Sequence, residues 1–297
     1  MDDVTDSVFR QIIADCAPPD LFFTEFVNVD GLQSPGRPKL MHKLQHTDKE
    51  RPLIAQIWGK NPDNYYKTVK ELKTMGFTGV DINMGCPVKT VIKQGCCSAL
   101  IDDRGLAGEI IRATQKAAGD FPVSVKTRLG SKEVDLSWIE FLLGFKLNML
   151  TIHCRTARQM SKVPAQWQYM DEIRRLRDAI SPTTLLVLNG DVMTKQQGRE
   201  LAEQYKLDGV MIGRGVFHDP FVFAEASPWA TLSDEQRKEL YAKHVKLFAD
   251  TWPDAERKLR TLNKFCKVYI EGFPGAKELR ERLMTANSTD ELLTLLK

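Results

Sequence analysis

Short apolar segments alternate with segments of helical periodicity over the first 228 residues. The apolar segments are rich in β-branched residues and bounded by turn residues, which is typical of strands buried on both faces. They lie at 21–26, 52–58, 79–83, 122–127, 149–154, 184–189 and 209–213. The helical segments lie at 7–14, 64–75, 105–118, 136–143, 170–180 and 195–205. This alternation predicts parallel βα units and an α/β fold of the (β/α)8 TIM barrel class.

Seven predicted strands are one fewer than a closed barrel of this class requires. No apolar strand precedes the helix predicted at 7–14, because residues 1–6 have the pattern of a loop with a helix N-cap. We therefore expect the natural protein to begin several residues upstream, with its first strand missing from this sequence. A seven-stranded open sheet would have two unpaired edges, which is costly.

The pattern becomes entirely helical after Pro228. A capping box at Ser233–Gln236 predicts a helix to about Thr251, and 288–291 has the form of a second capping box. A further helix is predicted at 254–270, and it carries Arg257, Lys258, Arg260, Lys264 and Lys267. These patterns predict a barrel domain at 1–228 and a C-terminal helical domain at 229–297.

Composition adds limited information about partners and location. The net charge of +3 is compatible with a polyanionic partner but does not establish one. No apolar run reaches membrane-spanning length, so we expect no membrane segment. The six cysteines form no CxxC pair and no signal peptide is evident, which favours a reduced cytoplasmic setting. Cys86, Cys96 and Cys97 lack zinc-site spacing, so no metal site is expected. We expect a monomer.

Polar residues or glycines close most of the predicted strands. They are Gln56, Asn83, Lys126, His153, Asn189 and Gly213. Because the carboxyl ends of parallel strands meet at one end of a barrel, these positions predict an active site there. The amides of Gln56 and Asn83 can recognise the edge of a heteroaromatic ring.

Two glycine motifs follow the last two predicted strands. They are Asn189-Gly190-Asp191 and Gly213-Arg214-Gly215. Loops at these positions of a barrel commonly bind phosphate through backbone N–H groups, and Arg214 would add a positive charge. The alternative is that the glycines only permit tight turns. The presence of both motifs at the expected strand ends favours a phosphate site.

Three cationic or titratable side chains lie at these strand ends. Lys126 would stabilise negative charge on a bound ring, or would extend its ammonium to solvent from a strand terminus. His153 and Arg155 lie in a sequence without a nearby acid, which suits an anionic ligand or RNA phosphate. A purely structural histidine is the alternative.

Cys86 lies between Gly85 and Pro87 directly after a predicted strand. This position aims its side chain away from the sheet core. A cysteine thiol is mostly protonated at neutral pH, so Cys86 can act as a general acid toward a carbanion or enolate carbon. The alternative is nucleophilic attack by the thiolate, for which His153 is the candidate base.

Taken together, these motifs resemble those of the tRNA-dihydrouridine synthases, flavin-dependent reductases of uridine in tRNA. The resemblance covers nearly the whole chain. It is carried by segments 1–6, 9–10, 23–26, 83–87, 126–130, 153–156, 189–191 and 213–215.

The resemblance implies FMN as cofactor, NADPH as electron source and tRNA as partner. Cys86 would protonate C5 of the uracil while the reduced flavin delivers hydride to C6. The residues implied to bind FMN are Met1, Gln56, Lys126, His153, Asn189, Gly190, Asp191, Gly213 and Arg214. Asn83 and Arg155 would face the flipped-out uracil.

Two other functions remain open from the residues. One is an FMN barrel oxidoreductase of a small molecule, such as a dihydroorotate dehydrogenase or an ene-reductase. The basic helical tail argues against it, since a small substrate needs no such domain. The other is a non-catalytic RNA-binding barrel that has lost its flavin.

Overall fold

The computed structural model describes residues 1, 3–253 and 257–297. Residue 2 of the predicted N-terminal loop and residues 254–256, where the last basic helix is predicted to begin, lie outside the described residues. The strands are β1 (Phe22–Phe23), β2 (Val27–Asn28), β3 (Leu53–Trp58), β4 (Gly79–Met84), β5 (Val123–Arg128), β6 (Met149–His153), β7 (Leu185–Asn189) and β8 (Gly209–Met211). They form one parallel sheet in the order β1–β3–β4–β5–β6–β7–β8, with β2 also paired to β3.

Helices occupy the connections between the strands, which confirms the predicted βα alternation. They are α1 (Ser7–Cys16), α2 (Val29–Leu32), α3 (Pro62–Leu72), α4 (Lys89–Lys93), α5 (Arg104–Ala118), α6 (Leu136–Leu143), α7 (Met170–Ile180) and α8 (Lys195–Tyr205). Several begin where a short polar side chain accepts a backbone N–H, as Asp103 and Asp135 do before α5 and α6. The strands are apolar on both faces because the helices cover one face and the barrel interior lies on the other.

The single strand predicted at 21–26 is instead two short strands separated by a bulge. Phe23 pairs with Ile54, whereas Val27 pairs with Ile57, so the outer strand contains one extra residue between these pairs. Thr24 lies in the bulge, where its hydroxyl oxygen accepts the backbone N–H of Gln56 at 3.0 Å. A side-chain bond thus replaces the ladder bond that the bulge interrupts.

The sheet has seven strand positions, as expected, and within the described residues β1 and β8 are not paired with each other. The segment that contains α1 contacts both sides of this opening. The backbone N–H of Val4 donates to Glu25 Oε1, beyond β1, at 3.1 Å. Phe9 stacks on Phe217, beyond β8, with ring centroids 5.6 Å apart. The N-terminal segment therefore links the two outer strands without extending the sheet.

The C-terminal segment is helical, with α9 (Asp234–Thr251), α10 (Asn263–Tyr269), α11 (Ala276–Thr285) and α12 (Thr289–Leu295). The capping box of Ser233 and Gln236 is confirmed. At α12 the Ser288 side chain accepts from Glu291 N–H, but the Glu291 carboxylate accepts from Asn287 rather than from Ser288. The prediction of a reciprocal box there is wrong.

The helix predicted at 254–270 is also wrong in its described part before Asn263. Lys258 is extended and residues Leu259–Thr261 form a 3-10 turn. Arg257 is buried, lies 3.7 Å from Asp6 and stacks over Trp252 at 5.7 Å. These contacts hold the chain in a non-helical path.

The C-terminal helices pack on α1. Phe265 of α10 stacks on Phe9 at 4.9 Å between ring centroids, and His244 of α9 packs on Phe265 at 4.6 Å. Lys243 of α9 pairs with Asp15 of α1 at 2.8 Å. Among the described residues, none of the helices has the length and apolar character needed to cross a membrane.

Candidate active site

Five predicted site residues lie side by side at the carboxyl ends of β3 to β7. Asn83 is the register partner of Lys126, and His153 is the register partner of Asn189. Asn83 Nδ2 also donates to Gln56 Oε1 on the preceding strand at 3.1 Å. The structure therefore brings these side chains to one end of the sheet, while their individual roles stay predictions.

The Asn83 side chain holds the turn that carries Cys86. Asn83 is 7% exposed, and its Oδ1 accepts the backbone N–H groups of Gly85 at 3.1 Å and of Cys86 at 3.0 Å. A Cβ on Gly85 would lie 3.2 Å from the backbone of Thr127, so the close approach of β4 and β5 favours glycine at this position. The turn leaves Cys86 half-buried at the strand end rather than within the main core.

Arg128 is absent from the predicted site residues but supports the same turn. It is 5% exposed, and its Nε donates to the Gly85 carbonyl at 2.7 Å. Its Nη1 donates to the carbonyls of Thr156 and Met160, both at 3.1 Å. Burial lowers the pKa of Arg128 to about 10. Its position two residues after Lys126 on the same strand was the available sequence signal, since alternate strand residues share a face.

A buried carboxyl group anchors the interior end of the site. Asp81 is fully buried, and its carboxylate accepts from Ser124 Oγ at 2.6 Å and from Gln56 Nε2 at 2.8 Å. Burial raises the pKa of Asp81 to about 6, although these two hydrogen bonds and the charge of Lys126 oppose the shift. The chain of bonds from Asp81 through Gln56 to Asn83 connects this anchor to the Cys86 turn.

Lys126 provides a positively charged group in the site. Its side chain is half-buried, and its ammonium forms no hydrogen bond or ion pair with any residue that the structure describes. Burial, followed by the charge of Arg128, lowers the pKa of Lys126 to about 8, with Asp81 and Cys86 acting in the opposite direction. Near pH 7 most of the Lys126 side chains are therefore cationic and available to an anionic ligand.

His153 is held as a neutral ring. Its Nε2 lies 3.1 Å from Arg155 Nη1, and because a guanidinium can only donate, Nε2 accepts and the ring proton lies on Nδ1. Burial, followed by nearby cations of which Lys126 has the largest effect, lowers the pKa of His153 to about 2. His153 therefore offers an N–H donor to a ligand throughout the physiological pH range.

Asp191 joins two arginines of the site. One carboxylate oxygen accepts from Arg155 Nη2 and from the Ala165 N–H, and the other accepts from Arg214 Nη2 at 2.9 Å. Burial would raise the pKa of Asp191, but these partners hold it below its ordinary value. The sequence near Arg155 lacks an acid, and the fold supplies one from the loop after β7.

Arg155 is almost completely buried, with 2% exposed. Its Nε donates to the Val163 carbonyl at 2.6 Å, and its two terminal nitrogens contact His153 and Asp191. These contacts use three of the five N–H donors of Arg155. The structure gives Arg155 a positioning role toward His153 and Asp191, and its base contact stays a prediction.

The two glycine motifs provide backbone donors at adjacent strand ends. Within the described residues, the N–H groups of Gly190, Asp191, Gly213 and Arg214 donate no hydrogen bond. Gly190 has a φ of +114°, and a Cβ there would lie 3.1 Å from the His153 ring. Free amides close to a guanidinium form a suitable site for an anion.

Asn189 and Met1 complete the predicted set. The Asn189 amide donates to the Met211 carbonyl at 2.8 Å and so links β7 to β8. Met1 is 37% exposed, its amine donates to Thr5 Oγ1 at 2.5 Å, and its contact with a cofactor stays a prediction. Among the described residues, no group of three or more His, Cys, Asp or Glu side chains is arranged to hold a metal ion.

These groups define what the site can do. A partly exposed thiol lies near the cations Lys126 and Arg128, both of which interact electrostatically with it. At the ends of β6, β7 and β8 the same end of the sheet carries a neutral imidazole donor and four free amides. The arrangement suits proton donation from the thiol to a substrate beside a bound anionic cofactor.

Comparison with solved structures shows the fold. Morphinone reductase in complex with tetrahydroNAD superposes with a TM-score of 0.51 and 12% identity, over 76% of this chain and 85% of that chain. A variant of NCR from Zymomonas mobilis gives a TM-score of 0.50 and 17% identity, over 73% of this chain and 78% of that chain. These similarities confirm the predicted fold class.

Comparison of sequences shows the family. The dihydrouridine synthase (Dus) family model matches residues 1–297. A probable tRNA-dihydrouridine synthase of Staphylococcus aureus (strain COL) is 45% identical over 299 residues, covering 100% of this chain and 90% of the relative. The probable tRNA-dihydrouridine synthase 2 of Bacillus subtilis (strain 168) is 44% identical, covering 100% of this chain and 91% of the relative. The resemblance inferred from the motifs is confirmed, and the chain belongs to the dihydrouridine synthase family.

Proposed function

We propose that this protein reduces a uridine base in tRNA to 5,6-dihydrouridine, using FMN as cofactor and NADPH as the source of electrons. The observation that carries the proposal is the Asn83 turn, which presents Cys86 beside the charges of Lys126 and Arg128 at the carboxyl ends of the strands. Family membership and the tRNA-directed names of both relatives support the choice of substrate.

The chemistry of the donors fits FMN. The free amides of Gly190, Asp191, Gly213 and Arg214 would hold the phosphate, with Arg214 adding positive charge. Lys126 would face the negative charge that a reduced flavin ring carries. Asn189 would belong to the same phosphate set. The flavin ring and the ribityl chain would contact Met1, Gln56 and His153, with His153 donating from Nδ1.

The proposed role of Cys86 is that of general acid. When bound in its reduced form, FMN would supply the hydride that the uracil accepts at C6. The Cys86 S–H bond breaks as the proton moves to C5 of the uracil, and the sulfur becomes a thiolate. Lys126 and Arg128 stabilise this thiolate electrostatically. The Asn83 bonds fix where the sulfur lies relative to the base, which must first leave its stack.

Substitution of Cys86 tests this assignment. We expect Cys86→Ala to retain flavin absorbance, because the proposed phosphate and ring contacts do not involve the thiol. We expect dihydrouridine formation to fall at least 100-fold, since a general acid contributes roughly 10²–10⁴-fold. Cys16→Ala is the control, because Cys16 lies in α1 away from the strand ends. Wild-type turnover by Cys86→Ala would exclude the proposed role.

The C-terminal helices are the proposed tRNA-binding surface. Lys258, Arg260, Lys264 and Lys267 are exposed, whereas Arg257 is buried against Asp6. Lys264 also donates to the Asp3 carbonyl at 3.0 Å, so its replacement would disturb the N-terminal segment as well. Lys267 and Arg260 are therefore the sharper probes of RNA binding.

We expect the double variant Arg260→Glu and Lys267→Glu to weaken tRNA binding and to reduce its salt dependence, because each lost phosphate contact removes released counterions. Lys206→Glu is the matched control, since Lys206 lies between α8 and β8, at the opposite end of the sheet from the site. Binding is measured by filter retention at several salt concentrations. Unchanged tRNA affinity and unchanged salt dependence in the double variant would contradict the assignment of this surface to tRNA binding.

All six cysteines are free thiols, which agrees with the proposed cytoplasmic setting. The protein is proposed to act as a monomer. Sedimentation of the purified chain at micromolar concentration tests this directly, and a dimer would contradict it.

A further inference from the structure

We propose that Cys97 is the partner of Cys86 in a reversible disulfide, which forms when Cys86 reacts with a small-molecule disulfide such as oxidised glutathione. The consequence for activity rests on the proposed role of Cys86 as proton donor, whereas formation of the disulfide does not. The pair would be a modification site at the carboxyl end of β4.

The two cysteines lie in direct contact. The Cys97 thiol forms a hydrogen bond with the Cys86 thiol. The backbone of the next residue is also tied to the same place, since the Ser98 N–H donates to the Cys86 carbonyl at 3.4 Å. Cys86 and Trp58 pack against a small separate cluster formed by Val91, Cys96 and Cys97. Side-chain contact is the first requirement for a disulfide, which also needs Cα atoms no more than about 7 Å apart.

The backbone at Cys97 supports a role for its thiol. Cys97 has a φ of +53°, a left-handed conformation that favours glycine and is unfavourable for a residue with a Cβ. It is 0% exposed, and it begins the 3-10 turn Cys97–Ile101. The turn thus accepts an unfavourable conformation at a residue whose side chain is directed at Cys86.

The neighbouring Cys96 is arranged differently. It is 2% exposed, and its sulfur lies 3.7 Å from the Gln94 carbonyl, to which the thiol donates. Cys96 has an extended backbone, with a φ of −109°. The adjacent cysteines therefore give a matched pair, in which one thiol contacts Cys86 and the other is bonded to its own loop.

The exposure of each thiol sets the order of reaction. Cys86 is half-buried and can meet a dissolved disulfide, whereas Cys97 is enclosed and its thiolate is disfavoured because burial raises the pKa of Cys97. First, the Cys86 sulfur bonds to one sulfur of oxidised glutathione and one reduced glutathione leaves. Next, the Cys97 sulfur attacks the Cys86 sulfur, and the second reduced glutathione leaves with the Cys97 proton.

The net reaction oxidises two protein thiols and reduces one glutathione disulfide to two thiols. In the oxidised form Cys86 carries no S–H proton, so it has none to donate to a substrate. A dithiol reductant reverses the exchange. The bond would also protect the Cys86 sulfur from further, irreversible oxidation.

Peptide mapping of the intact protein tests the pairing. The full chain is treated with oxidised glutathione, alkylated and digested with trypsin, which cleaves after Lys89 and Lys93 and so separates Cys86 from the peptide that carries Cys96 and Cys97. We expect a linked peptide pair that lacks two hydrogen atoms and disappears after treatment with dithiothreitol. A stable glutathione adduct on Cys86 without the linked pair would overturn the proposal.

Variants identify the partner. We expect Cys96→Ser to form the linked pair as the wild type does, and Cys97→Ser to accumulate the glutathione adduct on Cys86. Cys97→Gly, which suits the left-handed backbone, gives the same test if the serine variant folds poorly. A linked pair that persists in Cys97→Ser or is lost in Cys96→Ser would refute the assignment.

The mapping separates this inference from the proposed function. A glutathione adduct and the internal disulfide both block Cys86, so the linked peptide rather than activity is the deciding measurement. Formation of the linked pair in a protein that reduces no uridine would leave the pairing intact and exclude the function. Uridine reduction without the linked pair would support the function and exclude the pairing.

Discussion

Removal of the Asn83 side chain should destabilise the protein and release the Cys86 turn. Asn83→Ala eliminates three hydrogen bonds, from Gly85 N–H, from Cys86 N–H and to Gln56 Oε1, at a site only 7% exposed. At about 1 kcal/mol for each bond, the expected loss of unfolding free energy is roughly 3 kcal/mol. For a chain of this length, that corresponds to a melting temperature lower by about 5 °C.

The assay is thermal unfolding followed by circular dichroism, with Asn148→Ala as the control. Asn148 is exposed and accepts one backbone N–H, from Val123 at 2.9 Å, so its replacement should cost about 1 kcal/mol. Asn83→Ala should also lower the rate of uridine reduction by at least tenfold while flavin absorbance remains. Equal losses of stability in the two variants would refute the reasoning that the Asn83 bonds hold the turn.

Three further predictions concern charge and backbone in the site. Lys126 loses its charge as pH rises through its pKa of about 8. The FMN affinity of the wild type, measured by flavin fluorescence, should therefore fall above pH 8. A similar decline of FMN affinity in Lys126→Met would contradict this assignment. Gly190→Ala places a Cβ against His153 at a residue with a φ of +114°. This variant should bind FMN at least tenfold more weakly and have a lower melting temperature. The control Gly36→Ala, at a φ of −75°, should change neither FMN affinity nor melting temperature. The pKa of Asp81 is raised from 3.8 to about 6, so the stability that this group contributes falls as pH rises between these values. Asp81→Asn should therefore raise the melting temperature more at pH 7 than at pH 4, and the opposite order would exclude a buried charge penalty.

The proposed general acid and the proposed disulfide both involve the turn that carries Cys86. Asn83 and Arg128 hold the backbone around Cys86, and Cys97 contacts its sulfur. Because the Asn83 bonds and the Cys97 contact involve different atoms, variants at the two positions should affect different measurements. Thermal stability and turnover test the role of Asn83, and the linked peptide tests the role of Cys97.

Local patterns in the sequence were sufficient for the main elements of the fold. Apolar β-branched runs bounded by turn residues identified β3 to β8 within a few residues, because a strand buried on both faces must be apolar nearly throughout. Capping side chains such as Ser233 located helix starts, because the bond that they form spans only three residues. The end of each parallel strand in turn located the candidate site, since all such ends lie together.

Local patterns failed where distant residues compete with local preference. The helical periodicity after 256 did not produce a helix before Asn263, because Arg257 pairs with Asp6 near the other end of the chain. The strand predicted at 21–26 was interrupted by a bulge that only its pairing with β3 defines. In both cases the deciding contact joins residues far apart in the sequence.

By itself, the sequence determined the alternation of strands and helices, the family motifs and the placement of Cys86 after β4. The tertiary structure alone decided the partners of the charged groups: Asp191 for Arg155 and Arg214, the Gly85 carbonyl for Arg128, and Cys97 for Cys86. The physical reason is how far apart in the sequence the interacting residues lie. Strand and helix patterns arise from neighbours along the chain, whereas a buried charge or thiol takes its partner from whatever element the packed fold places beside it.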